Sequence, residues 1–474
     1  MSDGITRWFA SAILLVALFS GTARAEGWAV HEWGTFTVLQ DELGRELTGV
    51  NIDDEPVPRF VHNLSRFLLN PAFLSNKHWR YRQKGAPSTH PLVTMRLETP
   101  VIYFHPPRDA KLPASIDVSV QFNGGWLTEF YPFAEVDAPG LQSGRFEFGE
   151  LKPSTKSTLT WSGLKVGTER DGPQTDWSVW LTPRQVKCAW VTNRANESER
   201  YLFYRGVANL RAPLRVTTDR DEQLLRVYGN FSHWLSKDAQ VLVPDAWLVH
   251  VQEDGRTAYR RLGALRATTN DDALLAATPS VFQARDYASD NLAKLKAMMH
   301  EALIAEGLHA DEATAMLNTW QRAYFTSPGL RVFYVVPDAW TDAVLPLKVS
   351  IDADVQRAMI GRIELITPEH REHLRKIAEG PKPDPRWVDR IPRGPNADKF
   401  FAGRADFGDL GVEIPADYQH YLALGRFRNA LVVAAEREQK KPTSLTAFID
   451  AYGLHPYRWP SKKNEGDGSR AQAK

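Results

Sequence analysis

Between Trp28 and about Trp247, hydrophobic positions come in short runs broken by Gly, Pro and Asp. "VTMRLETPVIYF" (93–104), "SIDVSVQF" (115–122), "STLTWSG" (157–163), "RYLFYRG" (200–206), "PLRVTT" (213–218) and "AWLVHVQ" (246–252) each read as one strand. Many short strands with turn signals between them predict an antiparallel sandwich rather than a parallel sheet. "VPRFVHNLSRFLLN" breaks the pattern: Phe60, Leu64, Phe67 and Leu68 keep a helical spacing and predict an early helix. In "AVHEWGTFTVLQ" (29–40) a regular strand puts His31 on one face with Trp33 and Thr35. Glu32 then shares the other face with Gly34 and Phe36, so the adjacent His31 and Glu32 do not easily grip one ion together. Gly34 leaves a bare spot suited to a bulge or a neighbouring ring.

The period then changes. Leu292, Leu295, Met299, Ala302 and Leu303 form a helical stripe that Gly307 is placed to end. Asp311 is the expected cap of a second helix carrying Met316, Leu317, Trp320 and Tyr324. "LRVFYVV" (330–336), "VLPLKVSI" (344–351) and "MIGRIELIT" (359–367) return to strands of the same body. The five prolines of 381–395 make a linker or a strap over the surface. Pro415 opens a helix expected to reach about Glu438, and Ser444 caps a shorter one ending at Gly453. The expected fold is α+β and β-rich: a sandwich-type body, an inserted helical pair and a C-terminal helical hairpin. Its expected divisions are a leader (1–25), a β-rich domain (26–284), the helical pair with returning strands (285–380), a Pro-rich linker (381–399), the hairpin (400–460) and a disordered tail (461–474).

Composition changes the picture in three places. Arg7, the apolar run Phe9–Phe19 and Ala23-Arg24-Ala25 predict an exported chain cut after Ala25, in the periplasm or secreted. Lys plus Arg is 58 against 57 acidic residues, which excludes a global field for nucleic acid or anionic lipid, and no second apolar run reaches membrane-spanning length. Cys188 is the single cysteine, so no intrachain disulfide forms and thiolate zinc sites are excluded, leaving His and carboxylate ligands. Its apolar setting reads as a buried, inert thiol.

No nucleophile elbow, His-Glu-x-x-His, phosphate loop or dinucleotide fingerprint is present. His370 and His373 share a helical face, but Thr367-Pro368-Glu369 makes that stretch an ordinary helix start. His300 and His309 read as ordinary helix-end residues. Four carboxylates stand inside apolar strand text: Glu32, Glu98, Glu129 and Glu364. Glu98 and Glu129 are each followed at once by aromatic and proline residues, which suits strand ends at a rim. With His31 they form the candidate catalytic set, an acid/base pair or a clasp for a hard divalent cation. Glu32 and the loop acids Asp53 and Asp54 are the candidate metal ligands, although the loop spacing fits no EF-hand. "FNGGWLTEFYP" (122–132) offers a ligand surface: Trp126 and Tyr131 beside Glu129 could stack a sugar, against a plain core role. Arg59 and Arg96 are the candidate polar contacts, Arg96 also being placed to pair with Glu98 on its own strand face.

"HEWGTFT", "DDEPVPRFVH", "MRLETPVIYF", "GGWLTEFYP" and "LRVFYVVPDAWTDAVLPL" resemble a group of exported bacterial proteins of unassigned function, over most of 28–367. The resemblance implies a shared fold and export, and no activity or site. The expected function is therefore an exported binding or structural protein of the cell envelope, recognising carbohydrate or another envelope component. The alternative is an exported, metal-assisted hydrolase built on the clustered carboxylates and a histidine.

Overall fold

The structure, a computed structural model, describes residues 27–51, 57–64, 82–83, 86–87, 89–139, 150–167, 169–391, 411–439 and 444–457. The expected leader and tail lie outside these residues, as do Asp53 and Asp54. Residues 65–70 of the expected early helix do too; its described part, 57–64, is a turn and the short strand His62–Asn63, not a helix.

A nine-stranded sheet forms the centre. In chain order its strands are β1 (Trp28–Gln40), β2 (His62–Asn63), β3 (Met95–His105), β4 (Gly125–Tyr131), β5 (Leu202–Ala208), β6 (Ala246–Val251), β7 (Thr257–Arg261), β8 (Gly329–Val335) and β9 (Ala353–Leu365). Their spatial order is β7-β6-β8-β9-β1-β3-β5-β4-β2. β1 and β9 run parallel, and all other neighbours are antiparallel. That parallel pair is the one departure from the expected antiparallel body within this sheet.

Each face of the sheet is covered differently. On one, Val30, Phe36, Leu97, Ile102 and Phe104 meet Ile116, Val118, Val120 and Trp161 of a second antiparallel sheet that includes Ala114–Asn123 and Lys156–Val166. On the other, Trp33, Tyr103, Trp247 and Phe333 meet the helices α1 (Asn291–Ala305) and α2 (Ala310–Thr319) through Leu295, Met299, Leu303 and Met316. The protein is thus a β-rich α+β sandwich with a helical layer on its outer side. The predicted stripe is the buried stripe, and Gly307, at φ +94°, ends α1.

Among the described residues, the C-terminal unit adds three more helices. After α3 (Asp338–Val344) and α4 (Pro368–Glu379) come α5 (Ala416–Ala423), α6 (Arg428–Arg437) and α7 (Ser444–Tyr452). The single helix expected from Pro415 to Glu438 is broken, because Gly425 turns left-handed at φ +71° and Gly425–Phe427 tightens to a 3₁₀ turn. Leu431 and Phe448 of this unit share a buried cluster with Leu39, Val50, Trp126 and Val207, so it docks on its own chain. The described part of the proline-rich stretch, 381–391, is a strap fastened by Trp387, which is buried against Tyr418 and Tyr452.

The pairing of β1 with β3 is irregular at one point. Trp33 of β1 pairs with Val101 of β3, and Thr35 with Glu98, so Gly34 alone faces both Thr99 and Pro100. This is a bulge with its extra residue on β3. A Cβ on Gly34 would lie 3.0 Å from Pro100 Cγ and 3.0 Å from Met359 Sδ, so glycine is what admits it. Thr99 carries the local distortion at φ +50°. Before the bulge, Arg96 and Glu98 face the helices. Beyond it the alternation is reset, and Val101, Tyr103 and His105 face them instead.

Candidate metal centre

Four side chains converge where the helical layer meets the sheet: His31 of β1, His105 at the end of β3, and His309 and Glu312 at the start of α2. The last two are brought together by the helix start itself. His309, not the expected Asp311, is the N-cap residue, and Glu312 three positions on returns its carboxylate to the His309 backbone N–H at 2.7 Å. The first turn of a helix also favours a negative charge there. Asp311 is turned outward, its Oδ2 accepting from the Lys187 backbone N–H at 2.9 Å.

The Glu312 carboxylate lies between the imidazoles. Its Oε2 is 2.7 Å from His31 Nδ1, its Oε1 is 2.8 Å from His105 Nε2, and His309 Nδ1 is 4.0 Å from Oε2. The three ring centroids form a near-equilateral triangle with sides of 4.8, 4.6 and 4.6 Å. One donor atom from each of the four residues falls within 4.8 Å of all the others. Burial pushes the Glu312 carboxyl up, but hydrogen bonds from His105 and His31 outweigh it and hold the group at about 2. The centre therefore keeps an anion inside a ring of imidazoles.

Three imidazoles and one carboxylate suit a divalent first-row transition ion, zinc above all, and not the hard calcium-type ligand set expected of the loop acids. Ligand atoms about 2.1 Å from one ion stand roughly 3.0–3.5 Å apart, so these side chains need only small shifts to receive it. In the metal-free arrangement, protons on the histidine nitrogens hold the carboxylate, and an ion would displace them. Exposure is graded across the centre: His31 and Glu312 have side-chain exposures of 0%, His105 13% and His309 32%. Solvent reaches it from the His309 side.

The other candidates fall elsewhere. Glu98 is fully buried, accepting from Tyr324 Oη (2.6 Å), from Arg96 (2.7 Å) and from Arg426 (3.0 Å). Glu129 is bound by Arg205 and by Asn63 Nδ2. His31, Glu98 and Glu129 thus sit in three separate partner sets, and the proposed catalytic trio does not form. Glu32 is not a metal ligand: it lies on the sandwich face, held by Tyr204 and by Arg357 at 2.6 Å, as strand alternation requires. Arg96 is the buried partner of Glu98, while Arg59 is exposed. Trp126 and Tyr131 are 1% and 5% exposed, so neither presents a plane for stacking a sugar. His370 caps its own helix through the Thr367 N–H (3.1 Å), and His373 faces His420 instead of sharing an ion with His370.

Sequence reasoning found His31 and missed its three partners. The spacing His309-x-x-Glu312 before an apolar helical stripe was a usable signal, a capping box with histidine in the cap position. His105 gave none, because without the bulge it points to the other face.

No protein-family model matches the chain, and no curated protein does. Among solved structures, it is similar to the Fcho1 mu homology domain of Danio rerio, solved with a bound Eps15 peptide. The likeness has 11% identity and a TM-score of 0.24, covering 72% of this chain and 94% of that one. At that score it carries no argument about fold or function. No helix among the described residues is long and apolar enough to cross a membrane.

Proposed function

We propose that the protein is an exported binding protein whose ligand is a divalent transition-metal ion, zinc by first choice, held by His31, His105, His309 and Glu312. The observation that carries this reading is the convergence of four donor atoms within 4.8 Å, from two strands and one helix start. Four protein ligands make a complete tetrahedral set of the kind found in closed, stabilising zinc sites. Export remains part of the proposal on the strength of the leader-like first 25 residues.

A second reading is favoured by the exposure of His309. An ion reached from that side can take a water molecule as an added ligand and lower its pKa, which is the chemistry of the metal-assisted hydrolase. Both readings share one test. Protein purified without a histidine tag and stripped with chelator is titrated with zinc by calorimetry, and its metal content is measured by elemental analysis. One ion per chain is expected, with affinity reduced at least 100-fold in His31→Ala. Stoichiometric binding that survives His31→Ala, or no binding at all, would refute the assignment. Zinc-dependent cleavage of p-nitrophenyl esters, lost in His309→Ala, would select the hydrolase; a rise in melting temperature with no cleavage selects the binding protein.

A further inference from the structure

A second pair of histidines lies where the C-terminal unit meets the body. α4 follows directly on β9, and α5 packs across it. Nδ1 of His373 on α4 and Nδ1 of His420 on α5 are 3.1 Å apart, with ring centroids at 5.2 Å. Such a contact needs one proton: one nitrogen donates and the other accepts. A neutral or singly protonated pair satisfies it. A doubly protonated pair has two donors, no acceptor and two positive charges in contact.

The surroundings do not relieve that repulsion. Facing the pair are His370, Glu372 and Lys376 from α4 and Asp417 from α5. Glu372 is already engaged by Arg375 at 2.7 Å and Lys376 at 3.7 Å, and Lys376 adds a positive charge of its own. Loss of hydration, followed by the charges of His373 and Lys376, lowers the His420 pKa below its ordinary 6.5. A histidine depressed by folding supports the folded contact above the unfolded value and withdraws that support as pH falls below it.

We propose that His373 and His420 form a pH-sensitive latch between the body and the C-terminal unit, closed at neutral pH and opened when the second imidazole takes a proton. The apolar cluster around Leu431 carries no histidine or carboxylate, so the latch loosens α5 on α4 without releasing the unit. This inference is independent of the metal centre.

Hydrogen exchange on the full chain, read by mass spectrometry at pH 7.5 and 5.0 and corrected for intrinsic rates, tests it. In the native sequence, protection of the α5 amides should fall about tenfold on acidification. In His420→Gln, whose amide can accept from or donate to His373 at either pH, protection should stay level. His373→Gln provides the reciprocal variant should the first fold poorly. Unchanged protection in the native sequence, or an equal fall in both variants, would overturn the latch.

Discussion

Two buried carboxylates, Glu98 of β3 and Glu312 of α2, lie between the central sheet and the helical side, and their neighbours give them opposite roles. Glu98 is held by the guanidiniums of Arg96 and Arg426 and by the phenol of Tyr324. Glu312 is held by imidazoles. A guanidinium keeps its proton at any physiological pH, so Glu98 is permanently neutralised and its lone pairs are committed. An imidazole can lose its proton and offer a lone pair in its place, so the ring around Glu312 converts from hydrogen-bond donors to metal ligands. Equal burial therefore says little about what a carboxylate does; the titratability of its partners decides it.

The contrast can be broken at either end. The largest effect on folding is expected at Glu98. Glu98→Leu leaves Arg96 and Arg426 without their shared carboxylate in the interior, at a cost of about 3–5 kcal/mol. Denaturant melts should show that loss, while zinc affinity per folded molecule stays unchanged; a parallel loss of affinity would mean that the two clusters act as one.

Glu312 comes next. Holding its carboxyl at about 2 against an ordinary 4.5 is worth roughly 3 kcal/mol in metal-free protein at neutral pH. Because the folded value is depressed, that contribution is complete above pH 4.5 and disappears as pH falls towards 2. Metal-free Glu312→Gln should melt well below the native sequence at pH 7, and the gap between the two should narrow as the pH is lowered from 4.5 through 3 towards 2. A constant gap across that range would show that Glu312 is not ionised in the fold.

The smallest effect is expected at Gly34, which touches neither carboxylate. In Gly34→Ala the new methyl presses on Pro100 and Met359, costing about 1–3 kcal/mol. The bulge it disturbs also aims His105, so zinc affinity should fall about tenfold even though the substituted residue is no ligand. Unchanged affinity would show that the bulge is held by other contacts.

Much of this architecture was legible in the pattern of residues. The two faces of β1 followed from strict alternation, the α1 stripe from its helical spacing, and the pairing of Arg96 with Glu98 from their shared face. Gly34 was recognisable as a place for a bulge. Its consequence was not, because alternation carries no record of an inserted residue and every side chain beyond it changes face. The break in the C-terminal helix depended on the left-handed turn at Gly425, which apolar spacing outweighed. Trp126 and Tyr131 looked equally suited to a core and to a ligand platform, and only packing against the C-terminal unit and around Trp180 separated the two.

The extra residue between Glu98 and Val101 behaves like a shift of frame. Were the strand to run through Thr99 and Pro100 without the bulge, no ligand would change, yet every side chain from Val101 to His105 would exchange faces. Tyr103 and His105 would turn into the dry interior between the sheets, and Ile102 and Phe104 would turn towards α2. The chain would keep all four ligands in its sequence and lose the centre from its structure. In this protein the metal site is written as much in the bulge of one strand as in the identity of its residues.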